Sequence, residues 1–339
     1  MNMHQWVQAQ IDAPAKRAIP ILSFPSIQLL GVTVRELCFS SELQAEGMAR
    51  VARRVPSGAS VSMMDLSVEA EAFGAQIRIS DGEVPTVTGA LVSDEEGAVA
   101  LRVPKVGEGR TGRYVEAAEK AARRIDDRPV FGGVIGPFSL AGRLMDVSEA
   151  LANCIAEPDM VRAALDKATE FLIEYALAYK AVGVHGIVMA EPLAGLLSPP
   201  LAAEFSEPYA RRIVEAVQDE RFAVIYHNCG NNTVFMTGSI LRVGAMGYHF
   251  GDSIDMAEML KAIPGNVLAL GNISPSRQFL TGTPASIRED TLRVMCACCP
   301  EHPNFVISSG CDIPPLSGWD NIDAFFAAAG EYYRERHTI

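Results

Sequence analysis

Short apolar runs that resemble buried strands alternate along this chain with longer stretches of helical periodicity, and this alternation limits the possible folds. In the stretch 159–182, for example, apolar residues recur every three or four positions, as on one face of a helix. Eight strand-like runs interleaved with helices predict an α/β fold, a parallel (β/α)8 TIM barrel. The predicted strands are 19–24, 60–64, 130–135, 186–189, 222–226, 245–248, 267–270 and 305–308.

The chain shows no sign of a second domain. No low-complexity segment, short repeat or Ser/Gly-rich linker interrupts it, so we expect a single domain over 1–339. The polar residues before position 18 predict an N-terminal extension to the barrel. Segment 77–103 is rich in Thr, Val and Gly and has a turn signal at Asp81-Gly82, which predicts a β-hairpin excursion after the second strand.

Composition excludes several classes of partner. The net charge of −12 argues against nucleic acid, which binds basic protein surfaces. No apolar stretch reaches the length needed to span a bilayer, so no membrane partner is expected. The N-terminal residues lack the apolar core of a signal peptide. Seven cysteines without an export signal predict reduced thiols and a cytoplasmic location.

Three potential metal ligands follow two of the predicted strands. His227 and Cys229 close the fifth strand, where side chains two positions apart point to the same face. Cys311 follows the eighth strand, in a turn stiffened by two prolines. One imidazole and two thiols leave a fourth position open, which is typical of catalytic zinc, whereas structural zinc sites fill all four. The alternative is a buried histidine with inert buried cysteines.

Other polar residues at predicted strand ends are further candidates, because the chemistry of such barrels lies at the C-terminal ends of the strands. Asp65 and Glu69 could orient a metal-bound histidine, or could be partners of a helix dipole. Glu191 could complete the metal site or orient substrate, and a salt bridge at the rim is its alternative. We predict these three as catalytic residues. Asn272 and His249 are predicted to contact a cofactor, with a hydrogen-bonded core residue as the alternative for His249.

Two further motifs have simpler interpretations. Segment 107–112 fits G-x-G-x-x-G, but no tight strand-to-helix turn is evident there, so it predicts a loop and not a dinucleotide site. Cys296, Cys298 and Cys299 lack a second cysteine pair at zinc-ribbon spacing. They are predicted to be buried cysteines at a helix end.

Four segments together match the motifs of one enzyme family. They are 68–74 (VEAEAFG), 227–233 (HNCGNNT), 271–275 (GNISP) and 310–315 (GCDIPP). Over nearly the whole chain this pattern resembles the uroporphyrinogen decarboxylase superfamily, and within it the methylcobamide:thiol methyltransferase branch that methylates coenzyme M. The resemblance implies a (β/α)8 barrel with zinc held by His227, Cys229 and Cys311. Ser274 departs from the pattern, because the family often has Asp at that position.

The resemblance implies a zinc-dependent corrinoid methyltransferase, which moves a methyl group between a methylated corrinoid protein and a thiol or a related acceptor such as tetrahydrofolate. The chain has no D-x-H-x-x-G sequence, which is expected where a histidine ligates a corrinoid. A small corrinoid-binding protein is therefore the expected partner, with methylcorrinoid as co-substrate. The alternatives are a metal-free decarboxylase-like lyase and a non-catalytic relative that binds a corrinoid protein.

The lyase alternative lacks a recognition motif in this chain. Uroporphyrinogen decarboxylase carries an N-terminal R-Q-A-G-R sequence, whereas residues 20–26 here read PILSFPS, without arginine. A tetrapyrrole with many carboxylates would require such arginines.

A corrinoid protein would dock on a wide and fairly apolar barrel mouth. For each candidate in that surface, packing in the core is the alternative. The candidates are Met63, Met64, Met189, Leu196, Leu197, Phe235 and Met236.

Overall fold

The computed structural model describes residues 1–336, so the last three residues of the predicted domain lie outside the described part. Its strands are β1 (Ser60–Val61), β2 (Gln76–Arg78), β3 (Thr86–Thr88), β4 (Val130–Ile135), β5 (Gly186–Ala190), β6 (Ala223–Asn228), β7 (Gly247–Phe250), β8 (Leu268–Ile273) and β9 (Phe305–Ser309). All but β2 and β3 form one curled parallel sheet of seven strands in chain order. Each of the seven overlaps a predicted run, although β1 covers only the start of its run and β7 begins and ends two residues later than predicted.

Helices separate the sheet strands, as the alternating pattern predicts. They are α1 (Met3–Asp12), α2 (Ser26–Leu30), α3 (Val34–Cys38), α4 (Ser41–Arg54), α5 (Val68–Phe73), α6 (Glu95–Ala100), α7 (Thr111–Arg124), α8 (Pro137–Met145), α9 (Val147–Ala156), α10 (Pro158–Ala181), α11 (Pro199–Phe205), α12 (Glu207–Val217), α13 (Thr237–Arg242), α14 (Met256–Leu260), α15 (Pro284–Cys298) and α16 (Trp319–Arg336). Single turns of other helix types cover Leu193–Leu196, Thr233–Met236 and Pro275–Leu280. The predicted helix over 159–182 is α10. Within residues 1–336, no helix combines the length and the apolar character needed to cross a bilayer.

The predicted first strand, 19–24, is not a strand in the structure. It lies extended between β9 and the chain before β1. Ile19 N–H donates to the Ile307 carbonyl at 3.0 Å, and the carbonyl of the preceding residue, Ala18, accepts from Gly58 N–H in the loop before β1 at 2.9 Å. Ile21 N–H donates to the Ser309 hydroxyl at 3.0 Å, so a side chain takes the place of a ladder carbonyl. The fold is therefore TIM-barrel-like, with seven strands and an extended segment where an eighth strand would close the sheet.

Two excursions accompany the sheet. Helix α1 packs against it through Trp6 and Phe131, whose ring centroids lie 5.6 Å apart. The predicted hairpin over 77–103 is present in its first part, where β2 and β3 pair antiparallel. Its second part instead contains α6, because the Asp94 side chain accepts from Gly97 N–H at 2.7 Å and begins a helix there.

Candidate metal centre

His227, Cys229 and Cys311 converge at the C-terminal edge of the parallel sheet. His227 lies near the end of β6, Cys229 directly follows that strand, and Cys311 lies just beyond β9. One imidazole nitrogen and the two sulfurs lie within 4.8 Å of one another. Among residues 1–336, no other group of three His, Cys, Asp or Glu side chains converges in this way. We call these three side chains the ligand group.

Close backbone packing holds the loop that carries Cys229. Gly230 lies against Gly195, and a Cβ on Gly230 would lie 2.4 Å from Gly195 backbone atoms, which is too close for any side chain. The buried Asn228 side chain fixes the same turn. Its Oδ1 accepts from Gly230 N–H at 3.0 Å and from the Thr233 hydroxyl at 2.9 Å. These residues of the HNCGNNT motif therefore shape the turn that presents Cys229.

The donor atoms of the ligand group fit a zinc ion. His227 is buried, and its Nε2 has no hydrogen-bond partner, which is uncommon for a buried polar atom. Imidazole nitrogen and thiolate sulfur are donors that zinc prefers. The neighbouring Cys229 thiol, and then burial, raise the pKa of Cys311 to about 12. The neighbouring Cys311 thiol lowers the pKa of Cys229. Two thiols this close can bind one cation when deprotonated.

His249 contacts His227 directly. Strands β6 and β7 pair in a register that sets the two residues side by side, and their Nδ1 atoms lie 2.7 Å apart. The other ring nitrogen of His249, Nε2, lies 2.8 Å from Ser308 Oγ. Burial, and then the neighbouring His227, lower the pKa of His249 well below its usual value, so its imidazole is neutral. The side chain that contacts His227 is thus His249, whereas Asp65 and Glu69, for which an orienting role was one alternative, bind Arg110 and the Ile135 N–H.

Asn272, at the end of β8, forms hydrogen bonds with the loop that follows β7. Its amide nitrogen donates to the carbonyls of Gly251 at 2.9 Å and Ile254 at 2.6 Å. It lines a cleft with Ser274 and Arg277, and the Ser274 hydroxyl accepts from Arg277 N–H at 3.3 Å. The contacts of Asn272 are therefore with backbone, and its predicted contact with a cofactor stays a prediction.

Glu191, just after β5, binds the N-terminus of α8. Its carboxylate oxygens accept from the backbone N–H groups of Phe138 at 2.9 Å and Ser139 at 2.6 Å. Helix α8 has no side-chain cap of its own at Gly136, where a Cβ would lie 2.6 Å from the Glu191 carboxyl carbon. Burial raises the pKa of Glu191 to about 7, against the opposing effect of these hydrogen bonds. Glu191 is not part of the ligand group, and its predicted catalytic role stays a prediction.

Asp65 belongs to a buried network that the sequence did not reveal. The Arg110 guanidinium pairs with Asp65 at 2.5 Å, and each side chain is almost fully buried. Tyr114 and Ser67 donate their hydroxyls to the same carboxylate at 2.6 Å and 2.5 Å. Arg110 comes from the glycine-containing segment 107–112, so that segment is the turn that places this cation. In the sequence, the only sign of this network was an arginine directly before a helical pattern.

Glu69, in the first turn of α5, is buried with one hydrogen bond. Its Oε1 accepts from Ile135 N–H at 3.0 Å, and its Oε2 has no partner. Burial raises the pKa of Glu69 to about 8, so the carboxyl group is largely neutral near pH 7. Its predicted catalytic role stays a prediction.

Glu69→Gln should increase the free energy of unfolding at pH 8 and change it little at pH 5. The pKa of Glu69 rises from an ordinary 4.5 to about 8 in the folded protein. Between these values the folded state holds a proton that the unfolded state has lost, so wild-type stability falls as the pH rises. Glutamine has no proton to lose, and each pKa unit is worth about 1.4 kcal/mol.

Urea denaturation of the wild type and Glu69→Gln at the two pH values measures this effect. Glu95→Gln, at an exposed carboxylate in α6, is a control. A stability difference between Glu69→Gln and the wild type that does not grow with pH would contradict the prediction.

The three clustered cysteines end α15 as predicted, but they are not all buried. Cys298 is buried, Cys299 is half-buried and Cys296 is exposed. Successive helix positions point in different directions, so residues this close cannot all face the core.

The expected apolar mouth is exposed only in part. Five of the seven candidates are buried in the core, namely Met63, Met64, Met189, Leu197 and Met236. Leu196 and Phe235 are 43% and 73% exposed, and Val234, which was not predicted, is 38% exposed. These three lie in the loops after β5 and β6. We call them the apolar rim.

Comparisons with known proteins agree with this fold. The family model for uroporphyrinogen decarboxylase (URO-D) matches residues 22–332. The methylcobamide:CoM methyltransferase MtbA of Methanosarcina acetivorans is 27% identical over 273 residues, which is 79% of this chain and 78% of that protein. The uroporphyrinogen decarboxylase of Xylella fastidiosa is 25% identical over 266 residues, 75% of this chain and 73% of that protein. A solved methyltransferase from Methanosarcina mazei shares the fold, with a TM-score of 0.85 and 24% identity over 98% of this chain and 99% of that chain.

Proposed function

The chain belongs to the uroporphyrinogen decarboxylase family, and from that premise we propose that it is a zinc-dependent corrinoid methyltransferase. It would move a methyl group between a methylcorrinoid, carried by a small partner protein, and a thiol or a related acceptor such as tetrahydrofolate. The convergence of His227, Cys229 and Cys311 within 4.8 Å carries this proposal. Its similarity to a methylcobamide:CoM methyltransferase supports the choice of reaction.

The ligand group suits activation of a thiol. When bound there, zinc would lower the pKa of a thiol in its open position and supply a thiolate at neutral pH. Cys229 and Cys311, as thiolates, would add electron density that keeps the acceptor sulfur nucleophilic. Burial of His227 excludes water from this side of the site, which strengthens electrostatic interactions.

Methyl transfer then needs one bond to form and one to break. A thiol acceptor loses its proton to solvent, and its sulfur forms a bond to the methyl carbon. The cobalt–carbon bond of the corrinoid breaks, and its electron pair stays on cobalt, so that Co(III) becomes Co(I). Transfer in the opposite direction, from a methylated substrate to the corrinoid, uses the same site.

The apolar rim supports docking of a partner that carries the corrinoid. Leu196 is next to Gly195, which packs against Gly230 in the turn that presents Cys229, and the exposed Val234 and Phe235 follow that turn in the chain. Apolar side chains left exposed beside a site often mark a protein contact. A corrinoid held by a partner on this rim would lie over the ligand group.

Two measurements on the purified protein test the proposed function. Elemental analysis is expected to find about one zinc per chain. The absorbance of Co(I) is expected to appear when methylcobalamin is mixed with the protein and at least one acceptor from a panel of thiols and tetrahydrofolate.

The alternatives give different results in the same measurements. A metal-free lyase would contain no stoichiometric zinc and would keep its activity in Cys229→Ala. A non-catalytic relative would bind zinc but release no Co(I) with any acceptor. Either result would refute the proposed function.

A further inference from the structure

On the basis of the proposed zinc site, we infer that the extended N-terminal segment sets which nitrogen of His227 carries the proton. A chain of hydrogen bonds runs from the Ile19 carbonyl through Ser308 and His249 to His227. Ser308 and His249 are thus positioning residues for the metal, although neither belongs to the ligand group.

The Ile19 carbonyl determines which atom donates in each of these hydrogen bonds. A carbonyl oxygen can only accept, so the Ser308 hydroxyl donates its single hydrogen to the Ile19 carbonyl at 2.8 Å. Ser308 Oγ can then only accept from the nitrogen on its other side, His249 Nε2, at 2.8 Å. His249 therefore carries its hydrogen on Nε2.

The same logic continues to the ligand histidine. His249 is buried, and its ring nitrogens contact His227 and Ser308 and no carboxylate, so the imidazole is neutral and has one N–H. Nδ1 of His249 is therefore an acceptor. Nδ1 of His227, 2.7 Å away, must then be the donor, and it also lies 3.2 Å from the His249 carbonyl oxygen. His227 Nε2 is left with a free lone pair, which agrees with the absence of a hydrogen-bond partner for this buried atom. A metal binds the imidazole nitrogen that has no proton.

This series of hydrogen bonds links metal binding to closure of the barrel. Ile19 lies in the segment that takes the place of an eighth strand, and Ser308 lies on the last strand, β9. The ligand-competent form of His227 is therefore specified only when this segment is in place. Loss of a group that orients a metal-bound histidine typically weakens metal affinity by about 10- to 100-fold.

A pair of adjacent serine substitutions isolates the effect. Ser309 Oγ accepts from Ile21 N–H at 3.0 Å, so it binds the same N-terminal segment without its hydroxyl joining the chain to His249. In competition with a chromophoric chelator, Ser308→Ala should weaken zinc binding by about 10- to 100-fold. Ser309→Ala should keep an affinity close to that of the wild type.

Nitrogen-15 NMR of the histidine rings in the metal-free protein gives a readout that does not depend on zinc. The wild type should carry the proton of His227 on Nδ1 and that of His249 on Nε2. Ser308→Ala should show His227 with its proton partly on Nε2. A wild-type His227 protonated on Nε2, or equal zinc affinities for the two alanine variants, would overturn the inference. If the wild type binds no zinc, the proposed function fails, while the NMR result still tests the hydrogen-bond chain.

Discussion

Replacing Cys229 with alanine is expected to weaken zinc binding by about 100- to 1,000-fold and to abolish methyl transfer. Tight protein zinc sites are worth about 10–16 kcal/mol with four ligands, so one ligand contributes about 3–4 kcal/mol. Each 1.4 kcal/mol is a factor of about ten in affinity. Cys229 supplies one of the three donor atoms that lie within 4.8 Å of one another, and no other Cys, His, Asp or Glu of residues 1–336 joins that group to replace it.

Zinc content after dialysis, chelator competition and Co(I) release measure the loss. Cys296→Ala is the matched control, because Cys296 is an exposed cysteine on α15 outside the ligand group. It should leave all three readouts unchanged. His227→Ala should behave like Cys229→Ala. Full zinc content together with full activity in His227→Ala would show that the ligand assignment is wrong.

Arg110→Met should lower the free energy of unfolding by about 3–5 kcal/mol, because it leaves the buried Asp65 carboxylate without its cation and also removes the partner of Glu71, which Arg110 pairs with at 2.6 Å. Arg110 and Asp65 are 1% and 0% exposed in their side chains and lie 2.5 Å apart. Without the guanidinium, the Asp65 carboxylate keeps the hydrogen bonds from the hydroxyls of Ser67 and Tyr114, which carry no charge to compensate it.

Urea denaturation with Arg35→Met as the control tests this result. Arg35 pairs with Asp81 at 3.2 Å, but the two side chains are 52% and 70% exposed. An exposed pair contributes about 0–1 kcal/mol, so Arg35→Met should have a small effect. A similar loss of unfolding free energy in the two variants would mean that burial does not increase the contribution of the Arg110–Asp65 pair to stability.

The positions of the strands in the sequence and the members of the ligand group were predictable because both follow from local patterns. Strand periodicity predicts that His227 and Cys229, at the end of the fifth predicted strand, point to one face, and the family motif adds Cys311. The failed strand prediction at 19–24 has a specific cause. An apolar run indicates burial, but whether it joins a sheet depends on which groups of β9 face it. Ser309 offers a hydroxyl to Ile21 there, where a ladder would use a carbonyl.

The roles predicted for the acidic residues could not be derived in the same way. Glu191 was identified correctly as a residue at a strand end, yet its partners are N–H groups of α8 more than 50 positions away. Burial, which depends on the complete fold, is also what raises the pKa of Glu69 to about 8. A carboxylate in a sequence does not reveal whether water will reach it.

By itself, the sequence determined the alternation of strands and helices and singled out the three side chains of the ligand group, because periodicity and motif spacing are local properties. Only the tertiary structure decided which side chains bond to which. Asp65 binds Arg110, which is 45 positions away in the sequence, and Ser308 binds Ile19, which is 289 positions away. These contacts form because the curled sheet brings distant strand ends to one edge and register sets neighbours such as His227 and His249 side by side. A hydrogen bond extends only about 3 Å, so partners far apart in sequence are set by closure of the sheet and not by any local pattern.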